Sequence, residues 1–145
     1  MIFQRETLFD VIDEVPPLLE AHHAEMTPHP FRLDPRWDQY AEVERQGSLV
    51  VLTARDEGKL AGYSAYFIGK HRHFKDLTVA ENDLLFLTEQ HRKTAALGFL
   101  RYCEKTLKAL GVQHVSYHCS LYNNLADILG RLGYTDVQMM RGKLL

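Results

Sequence analysis

Two carboxylates, Glu81 and Asp83, lie just before a segment that could bind a phosphate-bearing substrate. Residues 84–87 are typical of a buried strand, residues 88–93 of a turn, and residues 94–110 have the apolar spacing of a long helix. A helix start leaves backbone N–H groups unpaired, and together with the helix dipole they attract anions. Arg92 and Lys93 would stand at the mouth of this site. A neighbouring carboxylate is a candidate general base, although acidic residues at strand ends are often only solvated.

The first third of the chain, which precedes this segment, is predicted to be helical. Thr7 followed by Asp10 resembles a capping box that opens a first helix, which should end at Pro16. A second helix is expected over residues 18–26, and a third from Asp34 to about residue 47.

The rest of the sequence predicts a sheet. Residues 48–68 have the pattern of an antiparallel hairpin, residues 76–87 of a third strand with a bulge at residues 80–82, and residues 114–120 of a fourth strand. Gly111 is suited to end the long helix, and a short helix capped by Asn123 or Asn124 should follow. Residues 134–145 are expected to add one or two final strands. This order of elements predicts a mixed α/β (α+β) fold with helices on both faces of one sheet.

Bulk properties exclude several classes of protein. The 145 residues are 46% hydrophobic and 25% charged, which predicts a single globular domain over residues 1–145. A net charge of −2 gives no general attraction for nucleic acid. The sequence has no signal peptide and no long apolar run, so we expect no membrane association. Cys103 and Cys119 are expected to be buried thiols, and the protein to be cytoplasmic.

Histidines occur in two groups that raise the question of a metal site. His71 and His73 lie in a basic segment, and His22 and His23 are adjacent on a predicted helix. No cysteine or carboxylate partner falls at a metal-binding spacing from either group. We therefore expect no metal, and a solvated basic loop at residues 70–75.

The chain resembles the GCN5-related N-acetyltransferase (GNAT) family, particularly its small phage and bacterial members, over nearly its whole length. Three features carry the resemblance: Gly62-Tyr63 in the second hairpin strand, the run from Asp83 to Arg92 into the long helix, and Leu132-Gly133-Tyr134 before a Lys-Leu-Leu tail. The resemblance implies a GNAT-like, mostly antiparallel central sheet whose central strands splay apart near Phe86 and Tyr117. In this family the parted strands and the turn bind acetyl-coenzyme A.

The resemblance also implies the residues that contact acetyl-coenzyme A. They are Phe86, Leu87, Thr88, Arg92, Lys93, Thr94, Ala95, Ala96, Leu97, Gly98, Asn123 and Asn124. The family's turn places two small residues at fixed distances from a Gln or Arg. Counting from Arg92 gives Ala95 and Leu97, whereas counting from Lys93 gives Ala96 and Gly98. The second register is favoured because Leu97 would obstruct a close backbone approach.

The same resemblance assigns catalytic and acceptor roles. Asp83 is the first candidate for the base and Glu81 the second, with a backbone N–H near Leu87 as the oxyanion donor. Many family members protonate the leaving thiolate with a tyrosine whose position here is Leu129, so Tyr122 is the nearest substitute. The acceptor is expected between the N-terminal helices and the central strands, where Glu20 and His23 would meet a cationic amine.

These assignments predict an N-acetyltransferase that moves an acetyl group from acetyl-coenzyme A directly to a primary amine of a small molecule or protein, within a ternary complex. One alternative is a non-catalytic GNAT-like module for acyl-coenzyme A binding or protein interaction. Another is a phosphate-binding module unrelated to acyl transfer, because helix starts bind anions generally. The apolar segment containing Met139, Met140, Leu144 and Leu145 leaves a homodimer open.

Overall fold

One five-stranded sheet organises the chain. The computed structural model describes residues 1–26 and 30–145. The strands are β1 (Ile2–Glu6), β2 (Leu49–Asp56), β3 (Lys59–Lys70), β4 (Thr78–Leu87) and β5 (His114–Tyr117), and they lie in the order β1-β2-β3-β4-β5. All neighbouring strands are antiparallel except β4 and β5, which are parallel. The predicted mixed, mostly antiparallel sheet is confirmed.

Helices cover both faces of the sheet. They are α1 (Leu8–Val11), α2 (Val15–Ala24), α3 (Trp37–Arg45), α4 (Glu89–Ala109) and α5 (Leu125–Arg131). Alternating residues of β2 separate the two faces: Val51 packs with α1 and α2, whereas Leu52 packs with α4. The predicted capping box is present, since the Asp10 N–H donates to Thr7 Oγ1 at 3.2 Å and the Thr7 N–H donates to Asp10 Oδ2 at 3.0 Å.

A bulge interrupts β4 beside the candidate base. Ala65 pairs with Leu84 and Tyr66 with Asn82, so Asp83 has no opposite residue on β3. The buried Asn82 amide donates to Ala65 O at 3.1 Å and to Leu84 O at 2.9 Å. The bulge thus lies one residue beyond the predicted residues 80–82. An extra residue places Asp83 and Leu84 on the same face of the sheet, the face that α2 and α3 cover.

Several predicted boundaries at the N-terminal side are wrong. Residues 2–6 form strand β1, because β2 offers them an antiparallel partner that their own pattern does not reveal. The first helix ends at Val11, and Val15 opens α2, because Pro16 and Pro17 fit a first helical turn that needs no N–H donors. The third helix begins at Trp37 rather than Asp34.

At the other end of the chain, the strand predicted over residues 114–120 ends at Tyr117, and the prediction of one or two strands over residues 134–145 is wrong, since this segment contains no strand. The apolar side chains of this last segment are exposed: Val137, Met139, Met140, Leu144 and Leu145. β5 therefore forms one edge of the sheet, and no described strand lies on its outer side. The C-terminal end of α4 is as predicted, with Gly111 at a φ of +84° and the Val112 N–H donating to Leu107 O at 3.1 Å.

Candidate active site

The two central strands part where the candidate chemistry lies. β4 pairs with β5 only over four residue pairs, from Val79 with His114 to Asn82 with Tyr117. Beyond this point residues 84–87 still pair with β3, but they have no ladder partner in β5. Backbone N–H and C=O groups in such a gap need another partner, and an extended ligand with amide groups supplies one. The predicted splay near Phe86 and Tyr117 is confirmed.

Two tyrosine side chains from the end of this ladder meet on the α4 face of the sheet. The hydroxyl groups of Tyr66 and Tyr117 lie 2.7 Å apart and form a hydrogen bond. Tyr117 also meets the ring of Tyr134 edge-on, with ring centroids 5.4 Å apart. Burial raises the pKa of Tyr66 and of Tyr117, so both side chains stay protonated near neutral pH.

The long helix begins earlier than predicted. α4 starts at Glu89 with Thr88 as its N-cap, so the predicted turn at residues 88–93 is wrong. Residues 89–95 are mostly good helix formers, which lets the helix extend to the end of β4. The N–H groups of the first turn are consequently those of residues 89–91, and not those of residues 94–97. Thr88 Oγ1 is hydrogen-bonded to His91 Nδ1 at 2.7 Å, and His91 Nε2 reaches Asp56 Oδ2 at 3.2 Å.

The residues assigned to the turn occupy different sides of α4. Lys93, Thr94 and Leu97 are exposed, whereas Ala95 is buried in the core and Ala96 packs against it. Gly98 lies well inside the helix beneath Phe3, whose ring atom Cε2 would stand 3.3 Å from an added Cβ. The glycine thus accommodates Phe3 of β1 and does not form part of a turn.

Arg92 is held against the end of β4. Its Nε donates to Leu87 O at 2.7 Å, and its Nη2 donates to both carboxylate oxygens of Glu25 at 2.8 and 2.7 Å. The guanidinium carbon lies 5.4 Å from the centre of the Phe86 ring. This ion pair joins the end of α2 to the first turn of α4.

Asp83 and Tyr40 form the polar centre of the α3-facing side. The Tyr40 hydroxyl donates to Asp83 Oδ2 at 2.6 Å. Burial, followed by the Asp83 carboxylate, raises the pKa of Tyr40, which therefore remains a hydrogen-bond donor. Glu81 lies two residues earlier on β4, so strand alternation places it on the same face. Sequence reasoning missed Tyr40, because its partner is 43 residues away and only the fold brings the two together.

A pocket of about 270 Å³ adjoins this pair. Its lining residues come from α2, α3, β4 and the segment before α3; they are Leu19, His23, Met26, Arg32, Leu33, Asp34, Pro35, Trp37, Tyr40 and Leu84. His23 lies at the predicted acceptor site, whereas Glu20 is exposed and does not line the pocket. His22 is turned inward instead, with Nδ1 3.1 Å from the Tyr63 hydroxyl and its ring stacked on Phe86.

The segment before α5 carries the remaining predicted residues. Tyr122 is 70% exposed, whereas Leu129, at the family's tyrosine position, is 3% exposed and belongs to the core. Asn124 is the N-cap of α5 without a side-chain bond, and Asn123 Oδ1 accepts from the Leu125 N–H at 3.1 Å.

Three further expectations concern a metal site, membrane association and the burial of the two cysteines. Within residues 1–26 and 30–145, no three His, Cys, Asp or Glu side chains gather closely enough to hold a metal ion. None of the described helices has the length and apolar character needed to cross a membrane. The expectation for Cys119 is wrong: Cys103 is buried but Cys119 is exposed, because β5 ends before it.

Most of the chain matches a known family. The model of the Acetyltransferase (GNAT) family matches residues 15–134. No curated protein matches significantly. Similar solved structures include an aminoglycoside acetyltransferase from an uncultured soil metagenomic sample, with 13% identity, a TM-score of 0.76, and coverage of 99% of this chain and 95% of that one.

A second is glucosamine-6-phosphate N-acetyltransferase from Arabidopsis thaliana, with 17% identity, a TM-score of 0.72, and coverage of 99% of this chain and 97% of that one. A third is a predicted acetyltransferase with acetyl-CoA from Clostridium acetobutylicum, with 11% identity, a TM-score of 0.70, and coverage of 99% of this chain and 95% of that one. At these identities the likeness shows the fold alone. The family match, which covers the parted strands, the bulge and all of α4, identifies the chain as a member of the GNAT acetyltransferase family.

Proposed function

We propose that the protein transfers an acetyl group from acetyl-coenzyme A to a primary amine of a small molecule or protein, with both substrates bound together. One observation carries this proposal: the ladder between β4 and β5 ends at Asn82 and Tyr117, directly beside the Asp83 bulge. The rest of β4 then leads to the start of α4 at Glu89. A carboxylate, strand backbone without a β5 partner and a helix start therefore follow one another along the chain.

The residues present fit acetyl-coenzyme A. The free side of β4 at residues 84–87 is suited to the amide groups of the pantetheine arm, and the first turn of α4 to the pyrophosphate. Lys93 is exposed near this turn and adds positive charge. Arg92 would contribute to phosphate binding only by leaving Glu25, its present partner.

The chemistry assigned to Asp83 is proton removal from the acceptor. The amine nitrogen forms a bond to the acetyl carbon while the carbon–sulfur bond breaks, and the amine proton passes to the Asp83 carboxylate. The sulfur of coenzyme A leaves as a thiolate, and Tyr122 is the proposed donor of the proton that this thiolate then takes up. The Tyr40 hydroxyl orients Asp83 through their 2.6 Å hydrogen bond. Holding both substrates in this geometry contributes through proximity.

Calorimetric titration with acetyl-coenzyme A, followed by thiol release in the presence of amines, tests the proposal. We expect saturable binding, weakened about tenfold by Lys93→Gln because one phosphate-directed charge is lost, and amine-dependent thiol release. Lys108→Gln, at the far end of α4, is the matched control and should bind normally. Absence of acetyl-coenzyme A binding by the folded protein would refute the proposal.

A non-catalytic acyl-coenzyme A module is the alternative, and Leu129 favours it. This residue occupies the family's tyrosine position and is buried in the core, so it offers no proton to a leaving thiolate. Saturable binding of acetyl-coenzyme A without thiol release, across amines of every size and charge, would support this alternative.

A further inference from the structure

The pocket next to the Tyr40–Asp83 pair is mainly apolar, and this property limits which amines it can bind. Its walls are mainly apolar, formed by Leu19, Met26, Leu33, Pro35, Trp37 and Leu84. Its volume of about 270 Å³ lies just below the roughly 300–1,000 Å³ typical of pockets for drug-sized ligands. A single ring or a short aliphatic chain fits this space, whereas an oligosaccharide does not.

Aromatic rings line the route from the pocket to Asp83. The rings of Trp37 and Tyr40 have centroids 5.9 Å apart, and Tyr40 is stacked on Phe67 at the same centroid distance. Ring faces of this kind attract both flat apolar groups and cations that approach within roughly 6 Å. The Tyr40 hydroxyl is itself hydrogen-bonded to the Asp83 carboxylate.

The charges around the pocket limit the number of positive groups on the ligand. Among the described lining residues, Arg32 and Asp34 carry opposite charges, and His23 adds no negative charge. Asp83 is the carboxylate that is hydrogen-bonded to a lining residue, Tyr40, whereas Glu81 on the same face has no such bond to Tyr40. One ammonium group therefore finds a partner at Asp83, whereas a second or third would meet a wall on which the charge of Arg32 offsets that of Asp34.

We infer that the pocket binds an amine with one positive charge and a compact apolar or aromatic body, with its amino group directed to Asp83. This inference rests on the proposed function, since it names the acceptor class of the same site. It separates the chain from acetyltransferases whose acceptors carry many amino groups.

Trp37 provides a direct measure of pocket occupancy, because it is the single tryptophan of the chain and lines the pocket. Tryptophan fluorescence would be titrated with phenethylamine, with its uncharged analogue phenethyl alcohol, and with the polyamine spermidine, each with and without coenzyme A. We expect phenethylamine to saturate the signal at a concentration at least about tenfold below the other two, a difference that one charged contact explains. Equal or tighter binding of spermidine, or no saturable binding of phenethylamine, would overturn the inference.

Two variants test whether the fluorescence change comes from binding in the pocket. Leu33→Gln places an amide on the apolar wall and is expected to weaken phenethylamine binding about fivefold, a cost of about 1 kcal/mol. Leu110→Gln, a partly exposed leucine at the end of α4, is the matched control and should bind normally. Thermal unfolding of both variants establishes that they fold. Unchanged binding by folded Leu33→Gln would contradict the assignment.

Thiol release with the same amines separates the two proposals. Saturable binding of phenethylamine without thiol release would leave the acceptor class standing and remove the transferase reaction. Thiol release with spermidine but not with phenethylamine would support the transferase and overturn the acceptor class.

Discussion

Asp83 owes its position to the bulge, and its chemistry to what surrounds it. The extra residue directs its carboxylate to the α3 side, where the Tyr40 hydroxyl donates to one oxygen and leaves the other for the proposed acceptor amine. Glu81 shares this face, but the Tyr40 hydroxyl donates to Asp83 and not to Glu81. The surroundings therefore distinguish two carboxylates that the sequence alone presents as near equivalents.

Asp83→Asn is expected to lower kcat about 100-fold, because the amide cannot accept the amine proton. Binding of acetyl-coenzyme A, measured by calorimetry, should stay unchanged. Tyr40→Phe should reduce kcat only about fivefold, since it removes an orienting bond and not the base. If Glu81→Gln caused the larger loss, the assignment of the base would pass to Glu81.

A second carboxylate, that of Glu6, stabilises the folded protein at neutral pH. Burial by itself raises the pKa of Glu6, but hydrogen bonds from Arg55 and Thr53 outweigh it and lower the pKa to about 2. Arg55 Nε donates to Glu6 at 2.9 Å, and the same guanidinium binds Glu14. The cluster ties β1, β2 and the start of α2 together.

Because the pKa of Glu6 is lower in the folded protein than its ordinary 4.5, its contribution is complete above pH 4.5 and is lost as the pH falls toward 2. Glu6→Gln is expected to cost about 2 kcal/mol at pH 7, less than a fully buried pair because Arg55 keeps Glu14. Urea unfolding between pH 7 and pH 3 measures this. The variant should lose less stability than the parent on acidification, and an equal loss would contradict the assignment.

At the scale of elements, the bulge in β4 depends on Asn82. The two hydrogens on its side-chain nitrogen are shared among three acceptors: the backbone carbonyls Ala65 O and Leu84 O, and Ser64 Oγ at 3.0 Å. Asn82→Ala is expected to reduce the free energy of unfolding by about 2–4 kcal/mol, because buried carbonyls lose their donor. Ser64→Ala should cost about 1 kcal/mol, because Leu84 O would keep the Asn82 amide. Chemical denaturation checks both values, and equal stability of Asn82→Ala and the parent would contradict this role.

The ion pair of Arg92 and Glu25 couples two elements for which we propose different substrates. α2 lines the proposed acceptor pocket, while the first turn of α4 is the proposed phosphate site. Glu25→Gln is expected to tighten acetyl-coenzyme A binding about three- to tenfold, because it frees the guanidinium for phosphate. Glu20→Gln, on the same helix, is the control for this affinity and should have no effect. Weaker binding by Glu25→Gln would mean that the pair supports the site as it stands.

Local signals predict part of this architecture well. The capping box at Thr7, the hairpin around Gly58 and the helix end at Gly111 depend on neighbouring residues, and all three are present. Other features depend on distant partners. β1 forms because β2 pairs with it, and residues 134–145 form no strand because none of the described strands pairs with them. The Tyr40 contact with Asp83 likewise arises only after folding.

The start of α4 shows a second limit of sequence reasoning. The sequence pattern predicts a turn at residues 88–93, but Glu, Gln, Arg and Lys have high helix propensity and extend the helix to Glu89. Gly98 follows the family pattern in type, yet it packs under Phe3. Resemblance therefore predicted the fold and the splay, while the contacts of individual residues in this segment required the structure.

For the whole molecule, β5 and the chain beyond it are the part least tied to the sheet. Only four ladder pairs join β5 to β4, with the Tyr66–Tyr117 hydrogen bond beside them. Segments with few buried contacts open most readily. A ligand that bridges the gap adds bonds to both strands, and its binding should stabilise them.

Amide hydrogen exchange would measure this effect. Acetyl-coenzyme A is expected to slow exchange at residues 84–87 and 114–120 about tenfold or more, and to leave β1 and β2 nearly unchanged. Protection spread evenly over the sheet would argue against binding in the gap.

The open outer side of β5 limits how copies of this chain meet. An exposed strand edge invites pairing with another chain, but β5 offers only four residues, too short a template for continuous stacking. The exposed methionine and leucine side chains near the C-terminus offer an apolar surface for self-association instead. Contacts of that kind strengthen in sulfate and other kosmotropic salts, whereas association through charged groups weakens as ionic strength increases.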